Sequence, residues 1–200
     1  MNPSQTYELL RTLTSPVVAV TSRRAGTYNG LISDGAIRGS IVPDVPRVGV
    51  FIHKFNFSHD LIFDTGRFAV HVLHPGQVDI VLKLGFVSGR DRDKLTDIPY
   101  RIGATGCPVL LDCFAWLDCQ VCNAMDTGSS TFFLGDVVLA GRGPGTEPME
   151  PAYLRAHLPA DRMKEYAGKL QAAQEAARRL SRDIRPLVWR ALAAGAKPDG

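Results

Sequence analysis

Residues 29–60 read NGLISDGAIRGSIVPDVPRVGVFIHKFNFSHD. Two polar loops, around Ser33–Gly35 and around Lys54–Ser58, frame a run that only a strand accommodates. Val48, Val50 and Ile52 alternate there with Gly49, Phe51 and His53, which places the β-branched residues on one pleat face. The strand ends in HKFNFSHD, where two imidazoles, an ammonium, an amide and a hydroxyl crowd together. Small hydroxyl and amide groups beside one or two cations at a strand end suit a phosphate, because several donors converge on its oxygens. The residues therefore point to a phosphate-bearing cofactor seated on a β-barrel.

Upstream of this stretch, Leu9, Leu10 and Leu13 give Tyr7–Leu13 a helical spacing that Pro16 ends. PVVAVTS (Pro16–Ser22) reads as a buried strand, and Arg23–Tyr28, with Gly26, as the turn to the next. That next strand begins near Asn29 and runs toward Val42, kinked at Gly30, Gly35 and Gly39. Such glycines mark bulges, close approach of a ligand, or a barrel corner. Downstream, Ser58 is expected to cap a short helix over His59–Thr65, whose positive end would add to a phosphate site, and Gly66 to end it. Phe68–Leu73 alternates as a strand with a packed His71 inside, and Asp79–Leu84 suits a short helix. SGRDRDK (Ser88–Lys94) is a charged loop, and Tyr100–Val109 carries turn glycines at Gly103 and Gly106. Leu110–Cys122 and Thr131–Ala140 are two further strands joined by NAMDTGSS. About six or seven strands at short intervals, with few helices, imply a closed antiparallel barrel over a parallel sheet.

The composition changes at GRGPGTEPMEP, Gly141–Pro151, which reads as a linker. Beyond it, Met163, Tyr166, Leu170, Ala173, Ala177, Leu180 and Ile184 form one apolar stripe on a helix predicted over Asp161–Ile184. This alanine-rich stripe wants a close partner, either the chain's own barrel or a second subunit. The expected division is a barrel domain over residues 1–145, with a linker and amphipathic helix over 146–200.

Of the 200 residues 45% are hydrophobic, enough for a full core, and a net charge of +3 with a pI near 8.7 is too small and too evenly spread to argue for nucleic acid. MNPSQTYELLRTL lacks the apolar run of an export signal and no stretch is long enough to span a membrane, so a soluble, cytoplasmic protein with no membrane partner is expected. The four cysteines, Cys107, Cys113, Cys119 and Cys122, then read as structural thiols. The Cys119-Gln-Val-Cys122 spacing falls on a strand, where positions three apart face opposite ways, and no second pair completes a metal site. No GxGxxG opens a helix, and there is no Walker loop or GxSxG elbow. Asp34, Asp60 and Asp93 form no evident acid–base pair, and Cys107 with His71 has no nucleophile signature.

Taken together, SPVVAVTSRRAGTYNGLIS, GVFIHKFNFSHDLIFDTGRFAVHVL, SGRDRDK and GATGCPVLLDCFAWLDCQV followed by TFFLGDVVLAG resemble the flavin reductase-like family of FMN-binding split barrels, over roughly residues 10–141. The resemblance implies a mainly β, antiparallel split-barrel fold with short helices and, in this chain, a carboxy-terminal helical arm. It implies a homodimer with one FMN per subunit near the interface. It also implies an oxidoreductase in which NADH or NADPH reduces the flavin, which passes electrons to a second flavin, a partner oxygenase, a metal or an organic acceptor. By position, the loop against the isoalloxazine ring falls on Asn29, Ile32, Ser33, Asp34 and Gly35. The phosphate loop falls on His53, Lys54, Asn56 and Ser58, and SGRxxDK adds Arg90 and Lys94. No general acid, base or metal ligand is implied.

Two departures stand out. The family's Asp-His-Thr, whose His lies near the nicotinamide side of the flavin, corresponds here to Ser129, Ser130 and Thr131. Ile32 and Asp34 also interrupt the usual small-hydroxyl run, and a carboxylate at Asp34 would disfavour an anionic reduced flavin unless it points outward. The first departure favours an alternative, an FMN-binding electron carrier without efficient nicotinamide-dependent activity. A weaker alternative is haem, with His53, His59 and His71 as candidate ligands.

Overall fold

The computed structural model describes residues 2–189; the last part of the 146–200 segment lies outside the described residues. In chain order the elements are α1 (Pro3–Leu10), β1 (Val18–Arg24), β2 (Thr27–Ser33), β3 (Ala36–Arg38), β4 (Arg47–His53), α2 (Phe57–Thr65), β5 (Arg67–Val72), α3 (Val78–Gly85), β6 (Tyr100–Ile102), β7 (Pro108–Leu110), β8 (Ala115–Asp126), β9 (Ser130–Arg142), α4 (Pro151–His157) and α5 (Ala160–Leu180). One antiparallel seven-stranded sheet has the order β2-β1-β5-β8-β9-β4-β3, and β6 and β7 form a separate hairpin.

The sheet order explains the shape. β2 and β3 are its opposite edges, yet only Asp34 and Gly35 separate them in sequence. Two residues reach only about 7 Å, so the sheet must curl until its edges meet. The Phe51 amide donates to the Gly35 carbonyl at 3.3 Å, extending the β3–β4 ladder by one residue, and no ladder joins β2 to β3. The barrel is split there, where the sequence pattern alone suggested closure.

The PVVAV run is unbroken because both of its faces are covered. Val18 and Val20 point into the barrel with Val50, Ile52, Phe68, Val70 and Phe133. Val17 and Ala19 point outward into a second core with Leu73, Val81, Leu84, Leu95 and Met149. Each such side chain contributes roughly 1.5–3 kcal/mol when fully buried. On β4 the alternation holds: Val48, Val50 and Ile52 are buried while Phe51 is exposed.

Several expected boundaries move for physical reasons. α1 starts at Pro3 because the Asn2 side chain accepts from the Ser4 amide and Pro3 suits the first turn. Ser58 does not cap α2; it lies within the helix and its hydroxyl accepts from Asn29 Nδ2 at 2.7 Å. Gly66, in the left-handed region at φ 68°, does end α2. β8 continues to Asp126, through the first half of the stretch read as a turn, with irregular register between Asp118 and Cys119 and between Val121 and Asn123.

The largest correction concerns the supposed linker. Gly143 and Gly145 donate to Phe114 and Cys113 carbonyls, Met149 donates to Leu73, and Val17 donates to Met149. Met149 is 0% exposed in the second core. The stretch is a strap bonded along the surface of the barrel, with Met149 as its buried anchor. Its end starts α4, unforeseen in the sequence, with Pro151 in the first turn.

His71 is packed as expected, with Nδ1 donating to the Ala19 carbonyl and Nε2 accepting from the Leu110 amide. Burial pushes its pKa down to about 4. All four thiols are free and their pKa values are raised chiefly by burial. Among the described residues no cluster of His, Cys, Asp or Glu is arranged to hold a metal ion, and no helix is long and apolar enough to cross a membrane.

Candidate functional site

Two cavities meet beside the split. The first, about 300 Å³, is lined by Asn29, Asn56, Ser58, Gly89, Arg90 and Lys94 among others. The second, about 360 Å³, is lined by Ser33, Asp34, Phe51, His53 and Tyr166 among others. Leu31, Ile32 and Asn56 belong to both, so the two form one groove. Each is of the size ligand pockets have, roughly 300–1,000 Å³. All the residues expected from the sequence line this groove except Gly35 and Lys54.

The first cavity is the cationic end. Arg90, Lys94 and Lys169 line it and no carboxylate does. Arg90 is held by bonds to the Phe55 carbonyl and Asp60, and lies 5.3 Å over the Phe57 ring. Lys94 is 9% exposed and donates to the Leu84 and Val87 carbonyls at 2.7 and 3.1 Å. Its role is partly to fasten the end of α3 to the SGRDRDK loop. Burial lowers its pKa to about 8. α2 begins here, and the Asn56 side chain makes no cap bond to its first amides. Those amides carry the helix's positive end.

Asn29 also lines the first cavity. Its Nδ2 donates to Ser58, while its Oδ1 is buried and has no hydrogen-bond partner. A buried acceptor left unmade costs about 1–3 kcal/mol, so the atom is poised for a donor from a ligand. Gly89 closes over it: a Cβ at this position would overlap the Asn29 side chain. A polyhydroxy chain ending in a phosphate fits this donor set, with hydroxyl donors for Asn29 and an anion for the cationic end.

At the other end, His53 pairs in register with Ser130 across β4 and β9, its Nδ1 2.8 Å from the Ser130 hydroxyl. Its ring stacks on Phe55 at 5.1 Å. Its pKa is lowered chiefly by burial, with the Asp34 charge acting the opposite way. His53 thus stands at this end of the groove, away from the cationic end. Gly35 turns the chain between the sheet edges, its amide donating to Ser33 Oγ. Lys54 turns away, its ammonium 2.7 Å from Asp126. His59 Nε2 is 2.9 Å from Thr131 Oγ1, and His71 is closed in by its two backbone bonds, so neither presents a free imidazole to a haem.

The sequence did not single out Tyr7, Leu10, Arg11 or Phe86, nor Lys169, all of which line these or an adjoining cavity. Tyr166 and Leu170 carried a signal, since they lie on the helical stripe that demanded a partner. Lys169 carried none.

Residues 10–158 match the family described as Flavin reductase like domain. The chain is 31% identical over 146 residues to the high molecular weight rubredoxin of Moorella thermoacetica, covering 72% of this chain and 63% of that protein; it thus spans less than two thirds of that relative's length. It is 26% identical over 121 residues to a ferric-chelate reductase (NAD(P)H) of Archaeoglobus fulgidus, covering 60% of this chain and 70% of that one. Among solved structures, an FMN-binding protein from Thermus thermophilus with bound 1-cyclohex-2-enone superposes with a TM-score of 0.60 at 27% identity, covering 66% of this chain and 72% of the other.

Proposed function

Since the chain belongs to the flavin reductase-like family, we propose that it is an FMN-dependent oxidoreductase using NADH or NADPH, with the cofactor lying along the groove between Arg90 and His53. The observation that carries this is the buried, unpartnered Oδ1 of Asn29 in a cationic cavity that runs on into an aromatic, imidazole-bearing end. The bound flavin would supply the redox chemistry, accepting a hydride equivalent from the nicotinamide and passing electrons to an acceptor. The chain's own work is to bind and orient. Arg90, the Ser58 hydroxyl and the first amides of α2 hold the phosphate. Asn29 accepts from the sugar-alcohol chain. Ser33, Asp34, Ile32 and the apolar walls confine the ring and exclude water. The names of the Archaeoglobus and Thermus proteins, a reductase using NAD(P)H and an FMN-binding protein, support both the cofactor and its reductant.

The nicotinamide is proposed to approach beside the His53–Ser130 pair, and neither residue is called on to move a proton. A second copy of the chain is proposed to cover the apolar residues left exposed on four strands, Ile37 of β3, Phe51 of β4, Met125 of β8 and Val138 and Leu139 of β9. The electron acceptor is a partner oxygenase or another diffusing oxidant. One preparation tests the reading. The purified protein should bind FMN stoichiometrically, be bleached by NADH or NADPH faster than free FMN, and sediment as a dimer. Protein that takes up no FMN overturns the proposal. Protein that binds FMN but is bleached no faster than free FMN is the electron carrier that Ser130, buried against His53, would favour.

A further inference from the structure

α5 lies across the groove. Lys169 lines the cationic cavity, while Tyr166 and Leu170, on the same helical face, line the second one. The rest of that face is half-buried at Met163, Ala173 and Ala177, although no residue of α5 is fully covered. Both flanks of the helix are fastened to the barrel. Before it, Met149 and Pro151 are buried and Tyr153 and Leu154 pack on the second core. After it, the backbone at Ser181 lies so close to Gly128 that a Cβ there would come within 2.6 Å of the Ser181 carbonyl oxygen. The Arg185 amide then donates to Asp126 at 3.2 Å. Trp189, 4% exposed, inserts edge-on between Phe63 and Phe133, with ring centroids 5.8 and 5.9 Å away. The helix itself is only lightly held, while its two ends are pinned.

We propose that this arm is the roof of the cofactor groove, and that Lys169 and Tyr166 are cofactor-contacting residues, Lys169 on the phosphate and Tyr166 over the ring end. The inference rests on the flavin reading above and deepens it. Lys169 is free to turn: its ammonium is 3.4 Å from Glu165 in an exposed i,i+4 pair, the kind that exchanges readily for a doubly charged anion. Tyr166 lines the second cavity together with Asp34 while keeping 41% of its surface exposed, so its ring is at hand for a ligand and not locked in a core. Of the amphipathic stripe legible in the sequence, Tyr166 and Leu170 face the ligand groove, while Leu180 and Ile184 stay exposed.

FMN and riboflavin, which differ by the phosphate alone, separate the contributions. Dissociation constants are read from quenching of flavin fluorescence on the full chain. Lys169→Gln, an exposed change that leaves the fold intact, should weaken FMN about tenfold, as for one charge-assisted contact, and leave riboflavin unchanged. Tyr166→Ala should weaken both flavins by a similar factor, and Tyr166→Phe should restore both. Trypsin, which has sites at Arg162, Lys164, Lys169, Arg178 and Arg179, should cut α5 more slowly once FMN is added. FMN affinity unchanged in Lys169→Gln, equal loss of both flavins in that variant, or a tryptic rate indifferent to FMN would each overturn the roof. These results leave FMN binding by the unaltered chain standing. A wild-type chain that binds neither flavin brings down the flavin reading itself, and the roof with it.

Discussion

Replacing Lys54 by methionine tests what that ammonium is for. Its Nζ lies 2.7 Å from Asp126 Oδ1, and Asp126 also accepts from the Gly128 amide at 2.8 Å and the Arg185 amide at 3.2 Å. Removing the ammonium leaves a carboxylate whose side chain is only 8% exposed with two backbone donors. A bond to a charged partner contributes roughly 1.5–3 kcal/mol. Because the Lys54 side chain is itself 28% exposed, water screens part of that, and about 2 kcal/mol is the expected loss. For a chain of this size each kcal/mol moves Tm by roughly 2–4 °C, so Tm should fall by about 4–8 °C. Burial tends to raise the Asp126 pKa, but the Lys54, Gly128 and Arg185 bonds hold it below the usual value. Its stabilisation is therefore complete above the ordinary carboxylate value, near 3.9, and is lost as pH falls through the lowered folded value. The gap between wild type and variant should narrow below about pH 4. FMN affinity should not change. A variant with wild-type Tm and an FMN dissociation constant raised tenfold would show that the ammonium serves the phosphate, refuting the assignment.

Met149→Ala should cost about 2–5 kcal/mol in urea denaturation, as a deleted core side chain does, whereas a true linker would show almost none. Burial lowers the Lys94 pKa to about 8, so FMN binding should weaken as pH rises past 8 and riboflavin binding should not. The unfolded chain, with Lys94 near 10.4, binds more protons across that window, so this group's contribution to stability rises with pH from about 8 to 10.5; Lys94→Met should remove both effects. Asn29→Ala should weaken FMN and riboflavin alike by about 1–2 kcal/mol in the same fluorescence titrations, and selective loss of FMN alone would place the phosphate against Asn29.

The sequence disclosed what local rules govern. β4 was legible because one pleat face is entirely β-branched, α2 ended where Gly66 offered a left-handed residue, and His71 sat where a strand packs both ways. What it withheld depends on partners distant in the chain. Nothing near Lys54 in the chain announced its pairing with Asp126, 72 residues away. Ser58 looked like a helix cap, but its hydroxyl accepts instead from Asn29 on β2. Glycine and proline made residues 141–151 resemble a linker, yet the backbone there bonds to Leu73, just past β5, and to Val17, just before β1, which no composition reveals. Lys169 had no signal because it lies off the apolar stripe, beside Tyr166 and Leu170 only once the helix is wound.

The groove's position follows from the topology. A curled sheet whose first and last strands are joined by two residues leaves one seam where backbone is neither laddered nor covered by helices packed on a face. Ligand-binding loops collect where such strand ends open. Here Asn29–Gly35 comes from one edge, His53–Ser58 leaves the strand beside the other, and the 88–94 loop returns from α3, packed behind β2. None of the three could close the seam alone, since each is anchored to a different part of the sheet. A segment crossing from outside is needed to cover it, and α5, pinned at Met149 on one side and Trp189 on the other, runs over that gap. The exposed strand faces and the seam that α5 crosses are therefore two consequences of one incomplete closure.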